Sequence, residues 1–214
     1  EETPIDDGIT RTLNSLDEMA DLMVSTTYAE YLALNDEVPE ATDEIVIKAT
    51  DLDTALSTSQ YEFVEDSEKG LTLVTNDSGR IVYKINVEKS AMYCLTLDYF
   101  PIKGYGSNIE RIFLIDDKIP YNEARNINLT RIWSDKEDEY YDREKRTFKK
   151  DVNGNEMRPI KEEAPEWISH TVYDSQTFFD EPLKFYLSEG EHTIAFEAAC
   201  EPIQLSQIKF HPAP

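Results

Sequence analysis

The chain has 214 residues and carries 44 Asp and Glu against 21 Lys and Arg, a net charge of −23. It is long enough for one domain with a sizeable core, and so acidic a surface repels phosphates, which makes nucleic acid and anionic membranes poor partners except through a local basic patch. The two cysteines, Cys94 and Cys200, are too few for a disulfide scaffold, and no Cys or His pair has metal-ligand spacing.

Residues 1–44 hold 13 acidic residues and one basic, a net of −12. Within them Leu13, Leu16, Met19, Ala20, Met23, Tyr28, Tyr31 and Leu32 recur at spacings of three and four, the period of an amphipathic helix over residues 10–34. The hydroxyl-rich run Ser25-Thr26-Thr27 is expected to divide it into two pieces. Residues 1–44 therefore read as an acidic helical segment that docks on, or leads into, a domain beginning at residue 45. No run is long and apolar enough to span a membrane and no signal-peptide pattern is present, so no direct membrane contact is expected of this chain.

From residue 45 the period changes from helical to alternating. EIVIKAT, YEFV and LTLVTNDSG read as strands and turns, and RIVYKINV and MYCLTLDYF are the cleanest β signals. In the latter Tyr93, Leu95, Leu97 and Tyr99 share one face and Cys94, Thr96 and Asp98 the other. Each cysteine falls inside a strand, as a small apolar residue rather than a bridge.

The stretch from Tyr99 to Trp133 reads as a β-meander. A strand ends at a Gly-containing loop, a second strand runs from Ile109 to Ile115, Asp116-Asp117 makes a tight turn, and a third strand approaches Trp133. Arg111 is expected to pair with one of the many carboxylates. PLKFYL, TIAFEAAC and LSQIKF close the chain as strands, with His192 in the turn between the first two.

Between these halves, residues 134–180 differ in composition and read as a long insertion. Arg143, Lys145, Arg146, Lys149 and Lys150 form a basic cluster diluted by acidic neighbours, which is expected to be solvated. Asn153-Gly154-Asn155 is a turn. The aromatic second part is Pro-bounded, and a loop this long is usually functional or mobile. Taken together, the fold expected is mostly β: an antiparallel β-sandwich over residues 45–214, with an N-terminal helical segment and the insertion 134–180.

GRIVYKINVEKSAMYCLTLDYFPI, IERIFLIDDKIPYNEA and LKFYLSEGEHTIAFEAACEPIQLSQIKF resemble galactose-binding-like jelly-roll domains, which include many non-catalytic carbohydrate-binding modules. YAEYL, GYGSNIERIFLIDDKIPYNEA, TRIW, DVNGNEMRP, APEW and EPLKFYLSEGEHTI, over roughly residues 28–210, resemble the amino-terminal accessory domain of large Gram-positive solute-binding lipoproteins of ABC importers. That resemblance implies an extracellular jelly roll, attached to the cell surface through a parent lipoprotein and joined to a solute-binding domain in the same parent chain. It implies polysaccharide or oligosaccharide as the ligand. No cofactor is expected; a structural calcium is possible but unsupported, because Lys48 stands in EIVIKAT where an acidic residue would be needed.

The loop after LTLDYF, residues 100–108, the chain leaving Trp133, and the turn from Cys200 to Gln204 should gather at one apex. Sugars are held by aromatic faces and planar hydrogen-bonding groups, so the candidates are Tyr105, Asn108, Trp133 and Glu201, with Tyr140, Tyr141, Arg158 and Trp167 from the insertion. Trp133 could instead cap the core, and Trp167 could pin the insertion to the sandwich. No nucleophile motif, phosphate loop or supported triad is present. A non-catalytic binding module is the first reading, a structural accessory domain without its own ligand the second, and a glycoside-processing enzyme the third.

Overall fold

The computed structural model describes residues 26–136 and 140–214. The first helical piece expected from the sequence lies outside them. The second is the helix α1, Tyr28–Leu34, which begins where the hydroxyl run ends. Thr27 caps it, its Oγ1 accepting from Glu30 N (3.3 Å) while Glu30 Oε2 accepts from Thr27 N (2.8 Å), a reciprocal capping box. The rings of Tyr28 and Tyr31 both lie 4.8 Å from that of Tyr121.

Two antiparallel sheets form the sandwich. The larger places β12 (Ile168–Thr171), β5 (Ala91–Phe100), β15 (Ile203–His211), β3 (Gly70–Thr75) and β2 (Tyr61–Asp66) in that order. In the same sheet β1 (Ile45–Lys48) also pairs with β15, and β13 (Lys184–Leu187) with β5. The smaller runs β4 (Arg80–Val87), β14 (Gly190–Cys200), β6 (Ile109–Ile115), β7 (Ile127–Leu129). Tyr93, Leu95, Leu97 and Tyr99 of β5 meet Phe113, Ile194 and Phe196 of the opposite sheet in one buried apolar core, as period-two alternation predicts.

The meander expected over Tyr99–Trp133 is corrected by this topology. β5 belongs to the larger sheet and β6 to the smaller, so residues 101–108 cross between sheets instead of turning back within one. Asp116 and Asp117 do make a tight left-handed turn, with φ of 51° and 60°. It closes only the Ile115–Lys118 bridge, and a 3₁₀ turn, Asn122–Arg125, intervenes before β7 returns to pair with the start of β6. The reason is steric and apolar: both faces of β5 are needed for burial, so its successor packs across the core.

The insertion is corrected too. Residues 168–171 pair with β5, Ile168 opposite Tyr99, so the aromatic second part of 134–180 returns to the larger sheet as β12. Its first part is a ribbon of β8 (Trp133–Asp135) with β11 (Lys161–Glu163), and beyond it a small hairpin of β9 (Tyr141–Asp142) with β10 (Thr147–Phe148). Gly154, at φ 83°, makes the expected turn at 153–155. Arg143, Lys145, Arg146, Lys149 and Lys150 are all exposed. His192 lies within β14 rather than in the turn before it, with Nδ1 2.7 Å from Asp116 Oδ2. Both cysteines are free, Cys94 buried and Cys200 half-buried.

Candidate functional site

The three segments expected at one apex do meet there, and a buried carboxylate joins them. Glu201 follows an irregularity in β14 between Ala198 and Cys200 and takes a left-handed φ of 68°, which turns its side chain inward beneath the crossing loop. Its carboxylate accepts from Tyr105 N (2.8 Å to Oε2), Ser107 N (2.9 Å) and Ser107 Oγ (2.8 Å). Arg131 Nη2 donates to Glu201 Oε2 at 2.9 Å. The same guanidinium donates through Nε to Ser107 O (2.7 Å) and through Nη1 to Ile102 O (2.9 Å), and it holds Glu163 Oε1 at 3.1 Å, tying the ribbon to the apex.

A buried charge is tolerated when it is paired and hydrogen-bonded, and here Glu201 accepts from Tyr105, Ser107 and Arg131 while Arg131 donates four hydrogen bonds. Burial pushes the Glu201 carboxyl up, but the Ser107 and Tyr105 donors and the Arg131 guanidinium outweigh it and hold the group below its ordinary value. Gly104 completes the arrangement, because a Cβ there would overlap the Glu201 carboxylate.

Arg111 supports the turn from the other side and corrects the expected ion pair. Its hydrogen bonds go to backbone carbonyls: Nη1 to Glu110 O (2.8 Å) and Cys200 O (2.9 Å), Nη2 to Glu201 O (2.9 Å). Burial lowers the guanidinium pKa to about 10.

On this base the crossing loop presents Tyr105 outward, 85% exposed. The Trp133 ring packs against the same loop at Gly106, with Cη2 3.7 Å from where a Cβ on Gly106 would sit, and it remains 43% exposed. The ribbon therefore leaves the indole open to solvent. Asn108 is exposed at the end of the same loop.

The other candidates separate from this group. Glu201 is fully buried and is a strut, not a surface acceptor, which corrects its expected ligand role. Trp167 lies on the outer face of the larger sheet, its ring 5.7 Å from that of Phe100 and its Nε1 donating to Asp66 Oδ1 at 3.3 Å, so it pins the returning chain. Tyr141 turns its ring onto Phe148 (5.2 Å) within the β9–β10 hairpin that follows Tyr140, and Arg158 is exposed beyond it.

A groove of about 380 Å³ opens on the other flank of the crossing loop, lined by Gln60, Glu62, Val74, Asn76, Ile102, Lys103 and Pro202 among others. Sequence reading missed its amides, Gln60 and Asn76. The one local signal was the Asn-Asp-Ser-Gly turn, which puts Asn76 at the end of β3, with its Oδ1 3.0 Å from Ser59 Oγ.

The fold and the apex define an antiparallel β-sandwich that carries an aromatic loop on a buried ion pair. No family model matches the chain, and no curated protein sequence matches it. Among solved structures it is similar to a family 35 carbohydrate binding module from Clostridium thermocellum: 13% identity over 82% of this chain and 97% of that one, TM-score 0.37. It is also similar to the C-terminal CBM6 of the marine laminarinase LamC from Zobellia galactanivorans: 13% identity, 79% and 99% of the two chains, TM-score 0.41. A third is the Podospora anserina GH26-CBM35 β-(1,4)-mannanase: 10% identity over 81% of this chain, which spans 28% of the mannanase, TM-score 0.41.

Proposed function

We infer that this domain is a non-catalytic carbohydrate-binding module. The observation that carries the reading is an exposed Tyr105 ring on a loop whose next residue, Gly106, is packed by the half-exposed Trp133 indole, the loop being held from beneath by Glu201 and Arg131. Aromatic faces stack on the C–H surfaces of sugars, and a loop fixed before the ligand arrives loses little entropy on binding. Asn108 on the loop supplies an amide for sugar hydroxyls. The parent is an extracellular solute-binding lipoprotein of an ABC importer, in which the module holds polysaccharide or oligosaccharide near the transported substrate.

Affinity gels or a glycan array with the domain test the first part. Retardation by at least one polysaccharide is expected, and Tyr105→Ala and Trp133→Ala each weaken it by about 1–3 kcal/mol with unchanged stability. No retardation by any polysaccharide sinks the binding reading; unchanged affinity in both variants moves the site elsewhere. Release of reducing ends from a bound polysaccharide would overturn the non-catalytic assignment. Labelling the parent protein on intact cells tests its placement at the surface.

A further inference from the structure

The sandwich covers its longer strand edges in part or whole, with one exception among the described residues. Along the first part of β4, the 53–59 segment supplies partners: Asp53 N donates to Val82 O (2.7 Å), Thr58 N and Ser59 N to Arg80 O (2.9 and 3.1 Å), and Ser57 Oγ accepts from Val82 N (3.0 Å). Along β13, the hydroxyls of α1 do the same: Tyr28 Oη accepts from Lys184 N (2.9 Å) and Tyr31 Oη from Tyr186 N (2.7 Å). The remaining edges, β1, β7 and β12, are four, three and four residues long. β2, with six, ends the larger sheet and pairs only with β3.

The free edge can be read residue by residue. Asn76 N donates to Gln60 O (3.2 Å), so Gln60, Glu62 and Val64 point their backbone groups at β3, while Tyr61, Phe63 and Glu65 point theirs away from the sheet. Those outward groups are accompanied by apolar side chains. Tyr61 and Phe63 are 36% and 45% exposed with ring centroids 5.5 Å apart, and Leu71, cross-strand from Glu65 on that face, is 52% exposed. They continue the core-facing side of β3, where Leu73 and Thr75 are buried, past the rim of the smaller sheet.

Such an edge pairs with whatever strand fits it. The charge on it chooses. Glu62, Glu65 and Asp66 lie on the strand without a Lys, Arg or Pro to blunt it. A second copy would bring its own charge of −23 and its own Glu62, Glu65 and Asp66 along the same edge, so self-pairing is disfavoured.

We propose that β2 is a docking edge for an extended polypeptide segment in which apolar residues alternate with lysine or arginine. Added antiparallel to β2, such a segment takes the outward N–H and C=O groups of Tyr61, Phe63 and Glu65. Its apolar set falls on the face of Tyr61, Phe63 and Leu71, and its basic set falls beside Glu62 on the other face, where the Asp66 carboxylate is already held by Glu68 N, Lys69 N and Trp167 Nε1. This surface is separate from Tyr105 and Trp133, so it stands or falls independently of glycan binding.

The test titrates the full ¹⁵N-labelled chain with the synthetic peptide acetyl-Lys-Val-Lys-Val-Lys-Val-Lys-amide. Controls are a peptide of the same composition with its lysines and valines in separate blocks, and the alternating peptide with Glu for Lys. Amide shifts confined to Tyr61–Asp66 and the facing part of β3 are expected with the first. The block peptide binds at least about tenfold more weakly, since it cannot put all its valines on one strand face, and the acidic one does not bind. Glu62→Lys, an exposed change that leaves the fold intact, reverses the order of the two alternating peptides. Equal binding of the block peptide, shifts located elsewhere, no shifts at all, or dimerisation through β2 without peptide each overturns the proposal.

Discussion

The crossing loop at 101–108 and the hairpin at 141–148 both present aromatic rings on short polar stretches, yet they are held by different means. The loop rests on a carboxylate and a guanidinium that are buried and bonded to each other and to the loop, contributed from the β14–β15 turn and from the chain before β8. The hairpin is braced by its own neighbours: Asp142 Oδ1 accepts from Glu144 N and Lys145 N, both at 3.1 Å, and Tyr141 meets Phe148 edge to face. Long-range polar contacts in a low-dielectric interior fix a segment relative to the whole domain, whereas short-range ones fix it only relative to itself. A ring on the first can act as a preformed platform, and a ring on the second moves with its hairpin.

The largest effect should come from removing the strut. Glu201→Ala leaves the Arg131 guanidinium buried without its main counter-charge and is expected to cost about 3–5 kcal/mol in urea denaturation, with loss of hydrogen-exchange protection at the Tyr105 and Ser107 amides. A loss below about 1 kcal/mol would erase the contrast with the hairpin. Gly104→Ala forces a methyl against the same carboxylate and should cost about 1–3 kcal/mol.

Acid should act on the same point. A carboxyl held below its ordinary value binds a proton less readily folded than unfolded, so its contribution is complete above the unfolded pKa and is lost as pH falls through the folded one. Stability of the native chain is therefore expected to fall more steeply below about pH 4 than that of Glu201→Gln. Parallel curves would locate the acid sensitivity elsewhere. The smallest effect belongs to the insertion: Asp151→Ala breaks the turn bonds to Asn153 N and Asn155 N, both 2.8 Å, but should change global stability by no more than about 0.5 kcal/mol. A larger loss would mean that the insertion is braced as firmly as the apex.

Much of the fold was legible because it is written in local periods. Ile109–Ile115 and the two faces of β5 follow from alternation, and Thr27 as a helix boundary follows from the backbone bonding of hydroxyl side chains. Of the site, the gathering of three segments at an apex was legible once a jelly roll was assumed, and so was the exposure of Tyr105 between glycines. The burial of Glu201 was not. Nothing near position 201 marks this carboxylate among 44 acidic residues, since its partners Tyr105 and Arg131 lie 96 and 70 positions away. Arg111 deceived for a related reason: a guanidinium suggests a carboxylate, yet a buried turn offers carbonyls that must also be satisfied.

What the sequence by itself determined is the alphabet of strands and turns and the acidic surface, because side-chain period, turn residues and charge act within a few positions of where they are written. Tertiary structure decided the partners. It sent β5 and β6 to different sheets, returned residues 168–171 to β5, turned Glu201 under the loop and left β2 as an open edge. Each of those outcomes depends on which distant surface has room for an apolar face or a hydrogen-bonding group that the local chain cannot satisfy.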